Sequence, residues 1–498
     1  MTFRRRSTKI VATLGPASDS AAAVNRLLHA GVDVFRLNAS HGTSENRAVL
    51  ISVIRTTAAD LGMRPGILLD LQGPKIRLGT FTDGQAFLKE GSRFSITIRP
   101  VTGTAEIAST TYQHLARDVQ PGDRILLADG SLELRVLETD GVCVVSEVVR
   151  GGIIGDRKGI NLPGVKLSTP SMTEKDIADM EFGIAHRVDF LAFSFVRTSD
   201  DVQQLRDLLK ARGASIPIIA KIEKPEAMDN LDAILRLSDG VMVARGDLGV
   251  ETALEKVPTM QKSIIEKARL QGRFVITATQ MLESMIDRPV PTRAEVSDVA
   301  NAIYDGTDAV MLSAETASGK YPVEAVERMA SIAREVESVV CKKGFSAPAF
   351  TGEYSTHPEI IASAAYHAAC SAGVAAIVVF TTSGFSARLI AGYRPPIPIY
   401  AFTPSETTLR ALAVIYGVRP IFSPDAASAD EMLNVVDRTL LPLGWLKPGQ
   451  SIVVVAGQPV GRSGTTNLIK LYSVGAGAIL ENQRQTGATE PAPASLPS

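Results

Sequence analysis

Short apolar runs recur along the chain, each followed by a stretch of helical periodicity. In order they are Lys9–Pro16, Asp33–Ser40, Gly66–Gln72, Asp189–Val196, Ile216–Glu223, Gly240–Asp247, Phe274–Gln280 and Ala309–Thr316. Near-continuous apolar runs alternating with helices are what a parallel sheet covered on its faces requires. Apart from one long gap, successive runs lie about 25–35 residues apart, the length of one βα unit. Eight units predict an α/β fold, the closed (β/α)8 TIM barrel, with a doubly wound open sheet as the competing arrangement. Helix signals agree. Ser18, Asp19 or Ser20 can cap a helix that stops at Gly31, and Ser171…Glu174 and Thr292…Glu295 have capping-box spacing. Val326, Met329, Ala333, Val336 and Val340 form an apolar stripe on the last barrel helix.

The gap falls between Gln72 and Asp189, and its pattern changes from period 3.6 to period 2. Phe94, Ile96 and Ile98 alternate with polar residues, as do Leu132, Leu134 and Val136. Glycine follows Asp83, Pro121, Asp129 and Asp140. Alternation punctuated by Asp-Gly predicts hairpins. Residues 74–170 are therefore expected to be a small β-barrel domain inserted into a catalytic barrel of residues 1–73 and 171–340. Loops that follow barrel strands open onto the catalytic face, so the insertion is placed to act as a lid. Beyond residue 341 a new βα series begins, with strands at Ala375–Thr381, Ile397–Phe402, Val418–Phe422 and Ser451–Gly457. Residues 341–482 read as a separate α/β regulatory domain. Residues 483–498, rich in Ala, Pro, Ser and Thr, have little to bury and read as a disordered tail.

Composition narrows the function classes. Lys and Arg total 52 against 53 Asp and Glu in 498 residues, which argues against nucleic acid or an anionic membrane as partner. No apolar run approaches the roughly 20 residues of a membrane span. The basic start, Arg4–Arg6 included, lacks the apolar core of a signal peptide. Three widely spaced cysteines, Cys143, Cys341 and Cys370, form no CxxC pair and predict a reducing, cytoplasmic setting. Trp445 and Cys143 read as packing residues.

Candidate chemistry lies at the carboxyl ends of the apolar runs. Residues two apart on a strand share a face, which groups Arg36, Asn38 and Ser40 on the second run, Lys221 with Glu223 on the fifth, and Thr277 with Thr279 on the seventh. Asp70, Asp247, Ser313 and Glu315 end the third, sixth and eighth. Buried unpaired charge costs several kcal/mol, so each needs partners or a task. Ion pairs closing the barrel would explain any one of them. Clustered at one end of many strands, the set points to an active site. Glu223 and Asp247 are hard oxygen ligands without nearby His or Cys, suited to Mg²⁺ or Mn²⁺. A divalent metal beside Lys221, Arg36 and Arg77 fits phosphoryl transfer, which needs neutralisation and positioning of spread negative charge. The chain has no P-loop and no protein-kinase HRD/DFG set.

At these residues the chain resembles the pyruvate kinases, over about residues 4–480. The motifs FRLNASHG (35–42), LDLQGPKIR (69–77), NLPG (161–164), EKD (174–176), AKIEKPEA (220–227), MVARGDLGVE (242–251), TATQMLESM (277–285) and MLSAETASGKYP (311–322) occur in order. The resemblance implies transfer of the phosphoryl group of phosphoenolpyruvate to ADP, giving pyruvate and ATP. Lys221 would stabilise the moving group, and Glu223 and Asp247 would hold the divalent metal. The Gly246 and Asp247 amides would hold the substrate carboxylate, and Arg36 would contact the phosphate. Thr279 would lie where the enolate is protonated, with Ser313 and Glu315 nearby. Asn38, Arg77 and Lys175 would approach the nucleotide. A homotetramer is also implied. Apart from the resemblance, His41 lies near the predicted site and reads as a hydrogen-bonded positional residue, not an acid-base group.

Two further expectations rest on the resemblance. The K⁺-dependent members carry Thr, Lys and Glu where this chain has Leu71, Gln72 and Lys75, so it resembles the K⁺-independent branch. The monovalent-site positions Asn38, Ser40, Asp70 and Leu71 remain, but Lys75 supplies a tethered charge of its own. Two cations about 4 Å apart at an effective dielectric of ~20 repel by roughly 4 kcal/mol. K⁺ is therefore not expected to be required. In the last domain, Thr381, Thr382, Ser383, Gly384, Ser386 and Arg388 follow a strand and open a helix, and Arg462 lies in a later loop. Together they predict a site for a phosphorylated effector, a sugar phosphate or nucleoside monophosphate. The rival readings are another metal-dependent phosphoenolpyruvate or oxo-acid barrel, such as a mutase or aldolase, and a catalytically silent metabolite sensor.

Overall fold

A computed structural model describes residues 6–343, 356–424, 426, 428–458 and 465–476. The chain opens with β1 (Lys9–Thr13), β2 (Val34–Asn38) and β3 (Gly66–Asp70). The insertion supplies β4 (Gln85–Leu88), β5 (Arg93–Thr97), β6 (Ile107–Ser109), β7 (Arg124–Leu127), β8 (Leu132–Thr139), β9 (Cys143–Arg150), β10 (Gly152–Gly155) and β11 (Ile160–Asn161). Then come β12 (Phe190–Phe193), β13 (Ile218–Ile222), β14 (Gly240–Ala244), β15 (Phe274–Ala278) and β16 (Ala309–Leu312). Strands β1–β3 and β12–β16 close a parallel barrel in the order β1-β16-β15-β14-β13-β12-β3-β2. These are the eight apolar runs, and the open-sheet alternative is set aside.

The floor of the barrel carries a repeated device. Asp33, Asp189, Asp239 and Asp308 each lie just before an even-numbered barrel strand. Each carboxylate accepts the backbone amide of a neighbouring strand: Ile10 at 2.8 Å, Ile67 at 2.8 Å, Ile218 at 3.0 Å and Val275 at 3.0 Å. Four staples thus satisfy amides at the amino ends of the strands, where the fold places stability and not chemistry.

Of the expected caps, Ser20 closes the helix Ala21–Ala30, which ends on Gly31 with φ 116°. The box Thr292…Glu295 forms as expected. Ser171…Glu174 does not: Thr173 is the N-cap and Asp176 completes the box. Ser171 instead donates to Asp201 and accepts from Arg197, so a competing side chain two residues on takes the amide.

The insertion folds on its own apolar core, centred on Phe94, Ile96, Leu134, Val136 and Val148. Asp129-Gly130 turns β7 into β8, and Asp140-Gly141 turns β8 into β9 with Asp140 Oδ1 accepting the Val142 and Cys143 amides. Asp83-Gly84 closes no hairpin and leads into β4, which pairs with the distant β10. In place of one closed barrel, the strands make a six-stranded sheet, β11-β7-β8-β9-β5-β6, and a separate β4-β10 ribbon. Cys143 is half-buried at the start of β9, not in the core.

By compactness the chain divides at Val336/Glu337, and Ser7 goes with the later unit, its amide donating to Glu337 and its carbonyl accepting from Gly417. That unit carries β17 (Ala376–Phe380), β18 (Ile399–Thr403), β19 (Val418–Phe422), β20 (Ser451–Gly457) and β21 (Thr466–Ser473), in the order β19-β18-β17-β20-β21. Strand β21, antiparallel to β20, was not expected from the pattern. Trp445 stacks on Tyr400 at 5.3 Å, a packing role. Arg462 and residues 483–498 lie outside the described residues. No described helix is long and apolar enough to cross a membrane.

Candidate active site

Barrel register sets the site. Asn38 is level with Asp70 between β2 and β3, and Ala192 is level with Asp70 between β3 and β12. Four charged side chains from three strand ends form an alternating chain. Arg36 grips Asp70 Oδ2 through Nη2 at 2.6 Å and Nε at 2.7 Å. Lys221 Nζ lies 3.3 Å from Asp70 Oδ1 and 2.8 Å from Glu223 Oε1. Asp70 and Glu223 are each only 1% exposed. Buried charge of this kind persists only when every partner is in place.

Electrostatics follow the geometry. Burial works against the Lys221 ammonium, yet Asp70, Glu223 and Asp247 outweigh it and raise its pKa. Burial also works against the Asp70 carboxylate, but Lys221 and Arg36 hold it below its ordinary value. Burial pushes Glu223 up to about 7, with Lys221 opposing and the Asp247 carboxylate adding to the rise. Glu223 and Asp247 therefore repel each other next to one ammonium, a strain that a divalent cation relieves. No group of three or more His, Cys, Asp or Glu side chains converges among the described residues. Two carboxylates leave further positions to substrate oxygens and water, as Mg²⁺ and Mn²⁺ sites do. The donor set fits such an ion.

Beside it, the helix Arg245–Glu251 begins, with Asp247 in its first turn. The Gly246 amide donates to Thr279 Oγ1 at 2.7 Å. Thr279 has φ 69°, an outlying conformation for a β-branched residue, held by Arg245 Nη2 on its carbonyl at 2.7 Å. Thr277 shares no site with it and donates to Thr307 instead. Glu315 accepts the Leu282 and Ser313 amides at 3.1 and 2.7 Å, so both its oxygens brace the loops that carry Thr279 and Ser313. The Ser313 hydroxyl is buried without a partner.

On the other side, Lys175 Nζ reaches the Ala39 carbonyl at 2.8 Å and Asp179 at 2.5 Å, while Arg47 holds the other oxygen of Asp179 at 2.7 Å. Arg77 donates to the Arg157 carbonyl. Exposed Lys75, together with Arg77 and Arg36, adds to partial burial in lowering the pKa of His41. Asn38 Oδ1 accepts the Ser40 amide at 3.0 Å.

The profile described as "Pyruvate kinase, barrel domain" matches residues 5–326, and that described as "Pyruvate kinase, alpha/beta domain" matches residues 359–472. The chain belongs to the pyruvate kinase family. It is 46% identical to pyruvate kinase of Geobacillus stearothermophilus over 473 residues, covering 94% of this chain and 81% of that one. It is 48% identical to that of Bacillus licheniformis over 474 residues, with the same coverage. A crystal structure of a pyruvate kinase from Cryptosporidium parvum superposes with TM-score 0.88 at 36% identity, covering 94% of this chain and 96% of that one. Family membership makes the protein a phosphotransferase of glycolysis, sets the mutase and aldolase readings aside, and brings with it the family's use of a divalent metal.

Several residues around this pyruvate kinase site were not singled out from sequence. Ser194 accepts from Lys221 at 2.7 Å and donates to the Leu71 carbonyl at 2.7 Å. Its signal is a hydroxyl at the end of the apolar run Asp189–Val196. Buried Lys224 and Glu251, with half-buried Asn161, form a second polar group. In the later unit, the Gly384 amide donates to Thr381 Oγ1 at 3.0 Å, and the Thr382 carbonyl accepts from Thr408. Thr382 and Ser383 are exposed and Arg388 half-buried. Ser386 departs from expectation: it is buried, with its hydroxyl paired to Thr466 at 2.5 Å, and so faces away from solvent.

Proposed function

We propose that this pyruvate kinase runs its reaction on the charge chain Arg36–Asp70–Lys221–Glu223. That chain is the observation that carries the reading, because it places two cations and a pair of carboxylates at the mouth of the barrel before any ligand arrives. Glu223 and Asp247 hold Mg²⁺ or Mn²⁺, which supplies charge neutralisation to phosphate and carboxylate oxygens when bound. Lys221 neutralises the phosphoryl group as its bond to the enol oxygen breaks and a bond to a terminal oxygen of ADP forms. Arg36 orients the phosphate, and the Gly246 and Asp247 amides orient the carboxylate. The enolate left behind takes a proton at its methylene carbon on the Thr279 side, near Ser313, with Glu315 bracing both loops. Asn38, Arg77 and Lys175 orient the nucleotide, and the insertion acts as a lid that excludes water.

Lys75 makes K⁺ unnecessary. The charge of Lys75 acts in this corner, where it adds to partial burial in holding the pKa of His41 down, and Asp70 already faces two cations, which supports this reading. Thr382, Ser383 and Arg388 take a phosphorylated activator, the chain assembles as a homotetramer, and it works in the cytoplasm, where glycolysis supplies its substrate. The test is pyruvate and ATP formation from phosphoenolpyruvate and ADP with Mg²⁺, in K⁺ and again in a tetraalkylammonium salt. Equal rates in the two salts are expected. A many-fold loss without K⁺ overturns K⁺ independence, and absence of ATP formation overturns the reading as a whole.

A further inference from the structure

Lys224 follows Glu223 directly but finds its partner outside the charge chain. Its Nζ lies 3.0 Å from Glu251 Oε2, and Asn161 Nδ2 donates to Glu251 Oε1 at 3.0 Å. Lys224 is 4% exposed and Glu251 5%. The three partners come from three places: the loop after β13, the end of the helix Arg245–Glu251, and β11, which pairs with β7 in the insertion. One carboxylate is thus held by the barrel from one side and by the insertion from the other. Glu251 lies four residues after Asp247 on the same helix, so the two share a face. A cavity of about 40 Å³, bordered by Lys75, Asn161, Lys224, Asp247 and Glu251, connects them.

A buried ion pair is no better for stability than an apolar pair of the same size. What it adds is dependence on geometry. The bond to Lys224 stays within the barrel, whereas the bond to Asn161 exists only while the insertion is seated. We infer that Lys224, Glu251 and Asn161 are positioning residues that couple the seat of the insertion to the helix bearing Asp247, and so tune the hold on the divalent metal. This rests on the reading of Asp247 as a metal ligand.

The probe is Mn²⁺ titrated into the full chain and followed by electron paramagnetic resonance, with thermal melting alongside. Asn161→Ala is expected to weaken Mn²⁺ binding about 5-fold, the lower end of typical coupling between sites. The Mn²⁺ activation constant should rise equally, with kcat at saturating Mn²⁺ and the melting temperature little changed. Asn161→Asp sets a second carboxylate against Glu251 and should weaken binding further, and Asn161→Gln should restore part of it. Wild-type Mn²⁺ affinity in both Asn161→Ala and Asn161→Asp overturns the inference, as does a loss that tracks only a fall in melting temperature. Wild-type affinity in Asp247→Asn overturns instead the reading of Asp247.

Discussion

The mouth of the barrel and the turn after β17 are both places where a strand ends and a helix begins, yet they are built from opposite materials. At the mouth, charged side chains nearly out of reach of water hold one another in an alternating chain. At the turn, the groups are hydroxyls and amides beside one half-buried guanidinium, Arg388, and two of the hydroxyls already serve the fold, Thr381 by accepting the Gly384 amide and Ser386 by pairing with Thr466. The first is electrostatically arranged in advance, which is what lowers a barrier, because no reorganisation is needed as charge moves. The second leaves Thr382 and Ser383 exposed, so a phosphorylated effector, as proposed for this turn, would bring most of the charge itself. If the turn takes an effector as proposed, a site for chemistry and a site for control differ here in whether the strong fields exist without the ligand.

The sharpest way to break that contrast is Lys221→Met. It removes the one ammonium that Asp70 and Glu223 share, and should lower kcat by about 10³-fold, the upper range for loss of a single preorganised charge donor. Steady-state kinetics with circular dichroism on the same sample checks it. A loss under tenfold in a folded variant would mean that the charge chain is structural.

Much of this contrast was visible in the chain itself. Parallel barrel strands are buried on both faces and read as apolar runs, so Arg36, Asp70, Lys221 and Glu223 stood out as charges in the wrong company. The pairing did not. Nothing local says that Lys221 meets Asp70 over the intervening β12, or that Ser194 completes the group, since those contacts are set by register between strands distant in sequence. Strand alternation also grouped Thr277 wrongly with Thr279, because a positive φ at Thr279, just beyond β15, breaks the period, and Thr277 pairs with Thr307 while Thr279 meets the Gly246 amide. Strand β21 escaped for a different reason. It is a largely exposed edge strand, with Thr466 and Tyr472 its only buried residues. An edge strand lacks the apolar run by which central strands announce themselves.

Asp70→Asn tests the mouth through stability. It leaves Arg36 and Lys221 short of a buried counter-charge, which should cost about 3–5 kcal/mol in a denaturant titration. The pH dependence has a definite sign. The Asp70 carboxyl is held below its ordinary value of 3.8, so the unfolded chain takes up the proton first as pH falls. Its contribution to stability is full above 3.8 and is lost progressively as pH drops from there toward the depressed folded value. The variant should lack that portion of the acid-induced loss.

The turn after β17 is probed by a smaller, graded effect, and one comparison within it separates a ligand site from a helix cap. Sugar phosphates and nucleoside monophosphates are titrated at subsaturating phosphoenolpyruvate. Ser383→Ala removes a neutral hydrogen bond worth about 1 kcal/mol and should weaken half-activation roughly 5-fold. Arg388→Ala removes a bond to charge, worth about 1.5–3 kcal/mol, and should weaken it tenfold or more. Ser386→Ala is the discriminating variant. Its hydroxyl points to Thr466, so it should lower the melting temperature and leave the half-activation concentration where it was. If Ser386→Ala abolishes activation while Ser383→Ala does not, the ligand enters from the buried side of the helix, and the division drawn here between a charged catalytic mouth and an open regulatory turn fails at its second half.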